Sequence, residues 1–265
     1  MQEIALDRFT GFSELYNDVR PKPPTLLTNL LIDISRKSSF DLVIDLGSGT
    51  GLSTVIWKTV AKKIIGIEPN EDMRKQAIQN IKGVHFESGS SYQIPLNKNS
   101  ADLVCCSQSF HWMKPESTLN EVNRVLVEEG FFVVYDCNWP ITISPKSEMA
   151  YINLFTEVDR IRDKYKSQIP NEKKWPKSEH KKNIKISGYF DYVKETYIQN
   201  VEKCDAQRFI GLALSQGHIQ TLIKNKIEEI NLPLEKFIKE VEEDIEKEKN
   251  MYISYEVLIC RKKMS

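Results

Sequence analysis

No sign of charge dominates this chain: 37 Lys and Arg residues balance 37 Asp and Glu residues over 265 positions. A formal net charge of zero leaves no electrostatic footprint for a nucleic-acid backbone, so no nucleic-acid partner is expected. No apolar run approaches the roughly 20 residues that cross a bilayer, and no apolar leader opens the chain, so no membrane partner is expected either. Cysteine is scarce and odd in number, five in all, scattered apart from the adjacent Cys105 and Cys106. That pattern supports neither a disulfide framework nor a metal-ligand spacing, so a reduced cytoplasmic setting without a metal is expected. Internal repeats are absent too. What remains is ordinary, 40% hydrophobic and 28% charged, and fits one large α/β domain or such a domain with a cap. Nothing in this composition fixes an oligomeric state.

Against that background one stretch stands out, DLVIDLGSGTG at residues 41–51, followed seventeen residues after Gly51 by Glu68 in IIGIEPN. An apolar strand carrying Val43 and Ile44 runs into a turn built on Gly47, Gly49 and Gly51 around Ser48. The spacing is Gly-x-Gly-x-Gly, with Leu at position 52, and not the Gly-x-Gly-x-x-Gly of a dinucleotide site. In a dinucleotide site the glycines bring a pyrophosphate onto a helix N-terminus. Asp45, just before the turn, disfavours a phosphate there and favours a cation or zwitterion. Glu68, at the end of a second strand, is placed to accept hydrogen bonds from two ribose hydroxyls.

Hydrophobic spacing predicts alternating elements around these motifs. A helical stripe of Leu26, Leu27, Leu30, Leu31 and Ile34 covers 25–36. Strands follow at 41–46, 63–68, 84–87, 102–106 and 131–137, with helices at 52–61, 71–80 and 116–127. Such alternation predicts a parallel sheet with helices on both faces and ligands outside the carboxyl ends of its strands. After Pro140 the alternation stops, and a helix over 147–166 leads into a Lys-rich connector. Two further strands are expected at 191–200 and 251–263, with helices near 205–214 and 233–248 between them. The basic stretch 177–185 reads as a solvated loop, Cys105 and Cys106 as buried and inert, and Trp175 and His218 as structural.

DLGSGTG and IGIEPN, with SGSSYQIPL and SADLVCCSQSFHWM after them, resemble the class I, Rossmann-like S-adenosylmethionine-dependent methyltransferases. The block with Gln108, Phe110, His111 and Trp112, and the upstream YNDVRPKPP segment, resemble the subgroup containing trans-aconitate-type small-molecule methyltransferases. The resemblance is clear over residues 9–139 and fades to a faint echo at ALSQGHI, 213–219. It implies a mostly parallel seven-stranded sheet whose last strand runs antiparallel between two others, with a helical cap. One domain over 1–265 is expected, with a core of 25–139 and 189–263, an entry element of 1–24, and cap insertions at 140–188 and 203–250. It also implies S-adenosylmethionine as cofactor, S-adenosylhomocysteine as product, and a small-molecule methyl acceptor.

Cofactor contacts are then expected from Asp45, Gly47, Ser48, Gly49, Gly51, Glu68 and Pro69, with Met73 lining the adenine. Ser90 and Ser91 stand where many relatives carry Asp-Ala, so the adenine amino group would meet a hydroxyl or backbone there. Ser107 and Gln108 end the fourth strand, near the methionine arm, and Tyr16 and Arg20 are expected to fold over the cofactor. Trp112, Asn138, Trp139 and Ser215 are expected on the acceptor side. His111 is the candidate general base, needed for a phenol or amine and not for a carboxylate. Ser107 to Phe110 does not provide the Asn/Asp-Pro-Pro-Tyr block of DNA amino-methylating enzymes. Two other classes compete: a protein that binds S-adenosylmethionine without turnover, and an NAD-dependent Rossmann oxidoreductase, which the glycine spacing disfavours.

Overall fold

The computed structural model describes residues 19–169 and 174–264. Its sheet has seven strands: β1 (Phe40–Leu46), β2 (Ala61–Ile67), β3 (His85–Glu87), β4 (Ala101–Ser107), β5 (Leu126–Cys137), β6 (Phe190–Cys204) and β7 (Lys249–Lys262). The order across the sheet is β3-β2-β1-β4-β5-β7-β6. β1 pairs in parallel with β2 and β4, as do β2 with β3 and β4 with β5. β7 lies antiparallel to β5, with Phe131 opposite Arg261 and Cys137 opposite Tyr255. The mostly parallel α/β architecture is the one the alternation predicts. Residues 101–106 of β4 are all buried, as a central parallel strand covered on both sides requires. Because β1 sits between β2 and β4, the strand order reverses beside it. That switch point puts a ligand crevice at the carboxyl ends of β1 and β4.

Eight helices are assigned among the described residues: α1 (Leu26–Ser35), α2 (Glu71–Asn80), α3 (Pro115–Val125), α4 (Pro145–Lys164), α5 (His180–Ser187), α6 (Ala206–Leu214), α7 (Gly217–Lys224) and α8 (Asn231–Asp244). α2 starts where Asn70 Oδ1 accepts the Met73 amide at 3.0 Å, and Glu71 and Asp72 complement the helix dipole. No helix among the described residues is long and apolar enough to cross a membrane.

The chain divides into two compact units. Within the described residues, one comprises 22–138, 174–200 and 254–264, and the other 19–21, 139–169 and 201–253. The first contains a core in which Ile44, Ile65, Val104, Phe110, Phe132 and Ile184 are buried together. Phe110 meets Phe132 edge-on, with ring centroids 5.6 Å apart. The second is organised on Tyr151, Phe209 and Phe237, whose neighbouring rings lie 6.3 Å apart.

Three local expectations change. Residues 52–61 do not form an α-helix; a single 3-10 stretch, Thr54–Thr59, takes their place. Thr54, Val55 and Ile56 are a β-branched run, poor at helix nucleation, and the Ser53 and Thr54 hydroxyls are drawn to Asp45. Residues 177–185 are not a loop either. They form a 3-10 turn and then α5, whose Ile184 is fully buried and which Gly188 ends at φ 73°. As a result residues 174–188, expected in the cap, belong to the unit that contains β1 to β5.

Candidate cofactor and acceptor site

The glycine turn folds back on the tips of β1 and β2 through its own amides. Gly47 and Ser48 both donate to the Ile67 carbonyl, at 2.8 and 3.2 Å, and Gly51 donates to Ser48 O at 2.9 Å. Gly49 donates to Glu68 Oε2 at 2.9 Å, and the other carboxylate oxygen accepts the Asn70 amide at 2.8 Å. A phosphate cradle needs free amides, and here the Gly49 amide is already taken by a buried carboxylate. Each Glu68 oxygen retains a lone pair, which suits a neutral diol such as a ribose. The donor set therefore fits a phosphate-free nucleoside. Glycine is needed at Gly47 for φ +74° and because a Cβ would sit 2.8 Å from Ser109 Cβ. At Gly49, φ +56° alone requires it, since a Cβ would meet nothing.

Asp45 works differently from the sequence expectation. Its side chain is fully buried and accepts from Thr54 Oγ1 at 2.5 Å, Ser53 Oγ at 3.3 Å and Cys105 Sγ at 3.6 Å. Those are internal partners, so Asp45 anchors the segment after the turn in place of a direct ligand contact. Burial raises its pKa to about 6 against the three hydrogen bonds that lower it. Ser48 is also turned inward: a Cβ on Gly66 of β2 would be 2.8 Å from its hydroxyl.

Beyond β4, Gln108 adopts φ 50° and donates its amide to Tyr135 O at 3.0 Å, turning the chain across the switch point. Ser109, not singled out by the sequence, donates to Leu46 O at 2.7 Å and ties this turn to the end of β1. The 3-10 turn Phe110–Trp112 then buries Phe110 and leaves His111 partly and Trp112 largely exposed. Lys174 Nζ lies 4.3 Å above the Trp112 ring, a cation–π contact. His111 Nδ1 faces Asp136 Oδ1 of β5 at 3.8 Å, too long for a hydrogen bond. Burial lowers His111 to about 4, so the ring is neutral at physiological pH. His180, 2% exposed at the start of α5, is lowered by burial as well. The sequence singled out neither Asp136 nor His180, and no local spacing joins them.

The other expected residues lie on several elements. Pro69 and Met73 are exposed at the start of α2. Ser90 forms an isolated bridge with Gln93, and Ser91 Oγ accepts from Thr118 Oγ1 at 2.9 Å. Ser107 is half-buried at the end of β4, and Asn138 is exposed with its amide on Ser254 O at 2.8 Å. In the second unit, Arg20 Nη2 donates to Ser215 O at 2.6 Å, and its guanidinium lies 5.9 Å from the Trp139 ring centroid. The Ser215 hydroxyl donates to Leu212 O at 2.7 Å, so it serves its own helix. Tyr16 lies outside the described residues.

Comparison with known proteins bears on these features together. Residues 44–134 match the family model described as a methyltransferase domain. A protein of Schizosaccharomyces pombe described as an uncharacterised methyltransferase-like protein is 32% identical over 130 residues, 49% of this chain and 51% of that one. A candidate S-adenosylmethionine-dependent methyltransferase of Saccharomyces cerevisiae is 28% identical over 127 residues, covering 45% of this chain and 43% of its own. The chain thus spans about half the length of the curated relatives it matches. The solved structure of a candidate type II methyltransferase from Anaeromyxobacter dehalogenans shares the fold, with a TM-score of 0.69 at 15% identity over 92% of this chain and 97% of that one. Residues 44–134, most of β1 to β5, thus match a methyltransferase domain, and the chain shares its fold with a solved structure of that description.

Proposed function

We propose that the protein transfers a methyl group from S-adenosylmethionine to a small-molecule acceptor by in-line displacement. The observation that carries the cofactor assignment is the closure of the glycine turn by Glu68, with the Gly47, Ser48, Gly49 and Gly51 amides all engaged internally. When bound, S-adenosylmethionine supplies a sulfonium-activated methyl group, already a good electrophile. Glu68 and the Gly47–Gly51 turn would hold its nucleoside, and Ser107 and Gln108 would flank its amino-acid arm. Left to the protein are alignment of the acceptor and exclusion of water. The neutral overall charge and the exposed Trp112 ring beside the β4 turn support a small molecule over a polymeric acceptor.

Calorimetry with S-adenosylmethionine, S-adenosylhomocysteine and NAD on folded protein tests the cofactor reading. Heat with the first two and none with NAD is the expected result. Labelled-methyl transfer to a panel of carboxylic acids, phenols and amines then tests turnover; binding with no transfer to any acceptor would leave a non-catalytic binding protein. His111→Ala sorts the acceptors found. A loss of about 100-fold marks His111 as the base for a protonated acceptor, and a near-normal rate marks an acceptor that is ionised unaided.

A further inference from the structure

Three side chains with buried polar atoms that make no hydrogen bond come together in one place: His111 through Nδ1, Asp136 through Oδ1, which has an ion pair to Lys177, and His180 with both ring nitrogens unbonded. Buried polar atoms in folded proteins find partners as a rule, and several orphans together mark a missing water or ion. Here they come from three separate elements, the turn after β4, the strand β5 and the first residue of α5. One donor atom from each residue lies within 4.8 Å of the other two. We infer that His111, Asp136 and His180 form a binding site for a divalent transition-metal cation of the zinc class.

The donor set selects that class. Two imidazoles and one carboxylate are borderline ligands, suited to Zn2+ or Co2+, whereas Mg2+ and Ca2+ take oxygen cages. Bonds of about 2.0–2.1 Å in a tetrahedral site set the donors about 3.4 Å apart. His111 Nδ1 and Asp136 Oδ1, at 3.8 Å, are nearly there, and the other separations, within 4.8 Å, would close by side-chain rotation. His180 packs edge-on against Phe110, ring centroids 4.8 Å apart, beside the other two donors. Three protein ligands leave a fourth position for water. The inference is independent of methyl transfer; it bears on it at one atom. With Nδ1 on a metal, the other His111 nitrogen carries the proton and donates, so ligation and a general-base role exclude each other there.

One resident cation competes. Lys177 Nζ forms an ion pair with Asp136 Oδ1 at 2.7 Å. Its side chain is 43% exposed and free to leave for solvent when a metal enters. Lys177→Met should therefore tighten metal binding, which neither a trapped water nor a plain His–Asp contact would produce.

The test uses the tag-free full chain, stripped with a chelator and titrated with Co2+, then with Zn2+ as competitor. The expected result is one equivalent of Co2+, d–d absorption between about 500 and 700 nm of tetrahedral intensity, and displacement by Zn2+. Asp136→Asn and His180→Gln should each weaken binding by more than the 10–100-fold that loss of an outer-shell partner brings. Circular dichroism checks that they fold. Lys177→Met, at a half-exposed position, keeps the test decisive if those variants do not fold. Absence of saturable binding by the wild type overturns the proposal. So does an unchanged affinity in Lys177→Met, or binding that survives loss of Asp136 and His180 in folded variants.

Discussion

Replacing Asp45 by asparagine should remove a pH dependence of stability that the wild type carries. Burial holds the Asp45 carboxyl at about 6, against 3.8 in its ordinary state. The folded protein therefore keeps this proton to higher pH than the unfolded chain does. Between about pH 4 and pH 6 the native state binds more protons, so unfolding free energy falls as pH rises through that window. About two units at 1.36 kcal/mol each give a loss of about 3 kcal/mol, complete just above pH 6. The amide introduced by Asp45→Asn can still accept from Thr54, and any change in packing it causes is constant with pH. The readout is thus the difference between the two proteins' stabilities, by urea unfolding at steps from pH 4 to pH 7.5. Taking that difference cancels the other titrating groups, including the buried His111 and His180, whose slopes run the other way. A wild type that loses about 2.5 kcal/mol of that relative to the variant between pH 4 and pH 7.5 is expected. Parallel curves would refute the idea that Asp45 is a desolvated anchor, and would put its carboxylate in contact with solvent.

Glu68→Gln leaves one carbonyl oxygen to serve both the Gly49 and Asn70 amides and turns an NH2 toward the other. Charge-assisted hydrogen bonds of about 1.5–3 kcal/mol predict a 10- to 100-fold weaker Kd for S-adenosylhomocysteine by calorimetry, and an unchanged Kd would remove Glu68 from the nucleoside site. Lys262, nearly buried on β7, donates to Asn123 O and Leu126 O, both at 2.7 Å, and to Asn99 Oδ1 at 3.2 Å. It caps the carboxyl end of α3, so Lys262→Met should cost about 2 kcal/mol in a urea melt, with no cost if the carbonyls find water.

The sheet is legible in the sequence because each parallel strand is a short apolar run closed by its own turn signal, and that information is local. β4 is Ala101 to Ser107 with no charged residue beyond Asp102, and β1 runs into Gly47 without a break. The 3-10 stretch after Gly51 is not legible from periodicity, because its apolar residues recur at helical spacing while Asp45 captures the hydroxyls at its start. α5 is hidden by composition: lysines dominate it, and two residues, His180 and Ile184, carry the buried stripe. Spacing four apart with Gly188 behind it is the available signal.

The same division runs through the site. Gly47, Gly49 and Glu68 lie at strand tips, and a parallel sheet brings neighbouring tips together whatever else the chain does. Asp45 departs from its expected ligand role because one position back from a tip, in a strand covered on both faces, an acid points into the core and must be satisfied there. Asp136 repeats that situation one residue before the end of β5, where FFVVYDC places a carboxylate in an otherwise apolar run. A buried acid demands partners, and that demand is visible in the sequence. Which groups gather round it is not, since His111 is 25 residues before it and His180 is 44 after it. Only the sheet order, setting β4 beside β5, and the turn that starts α5 bring the three together.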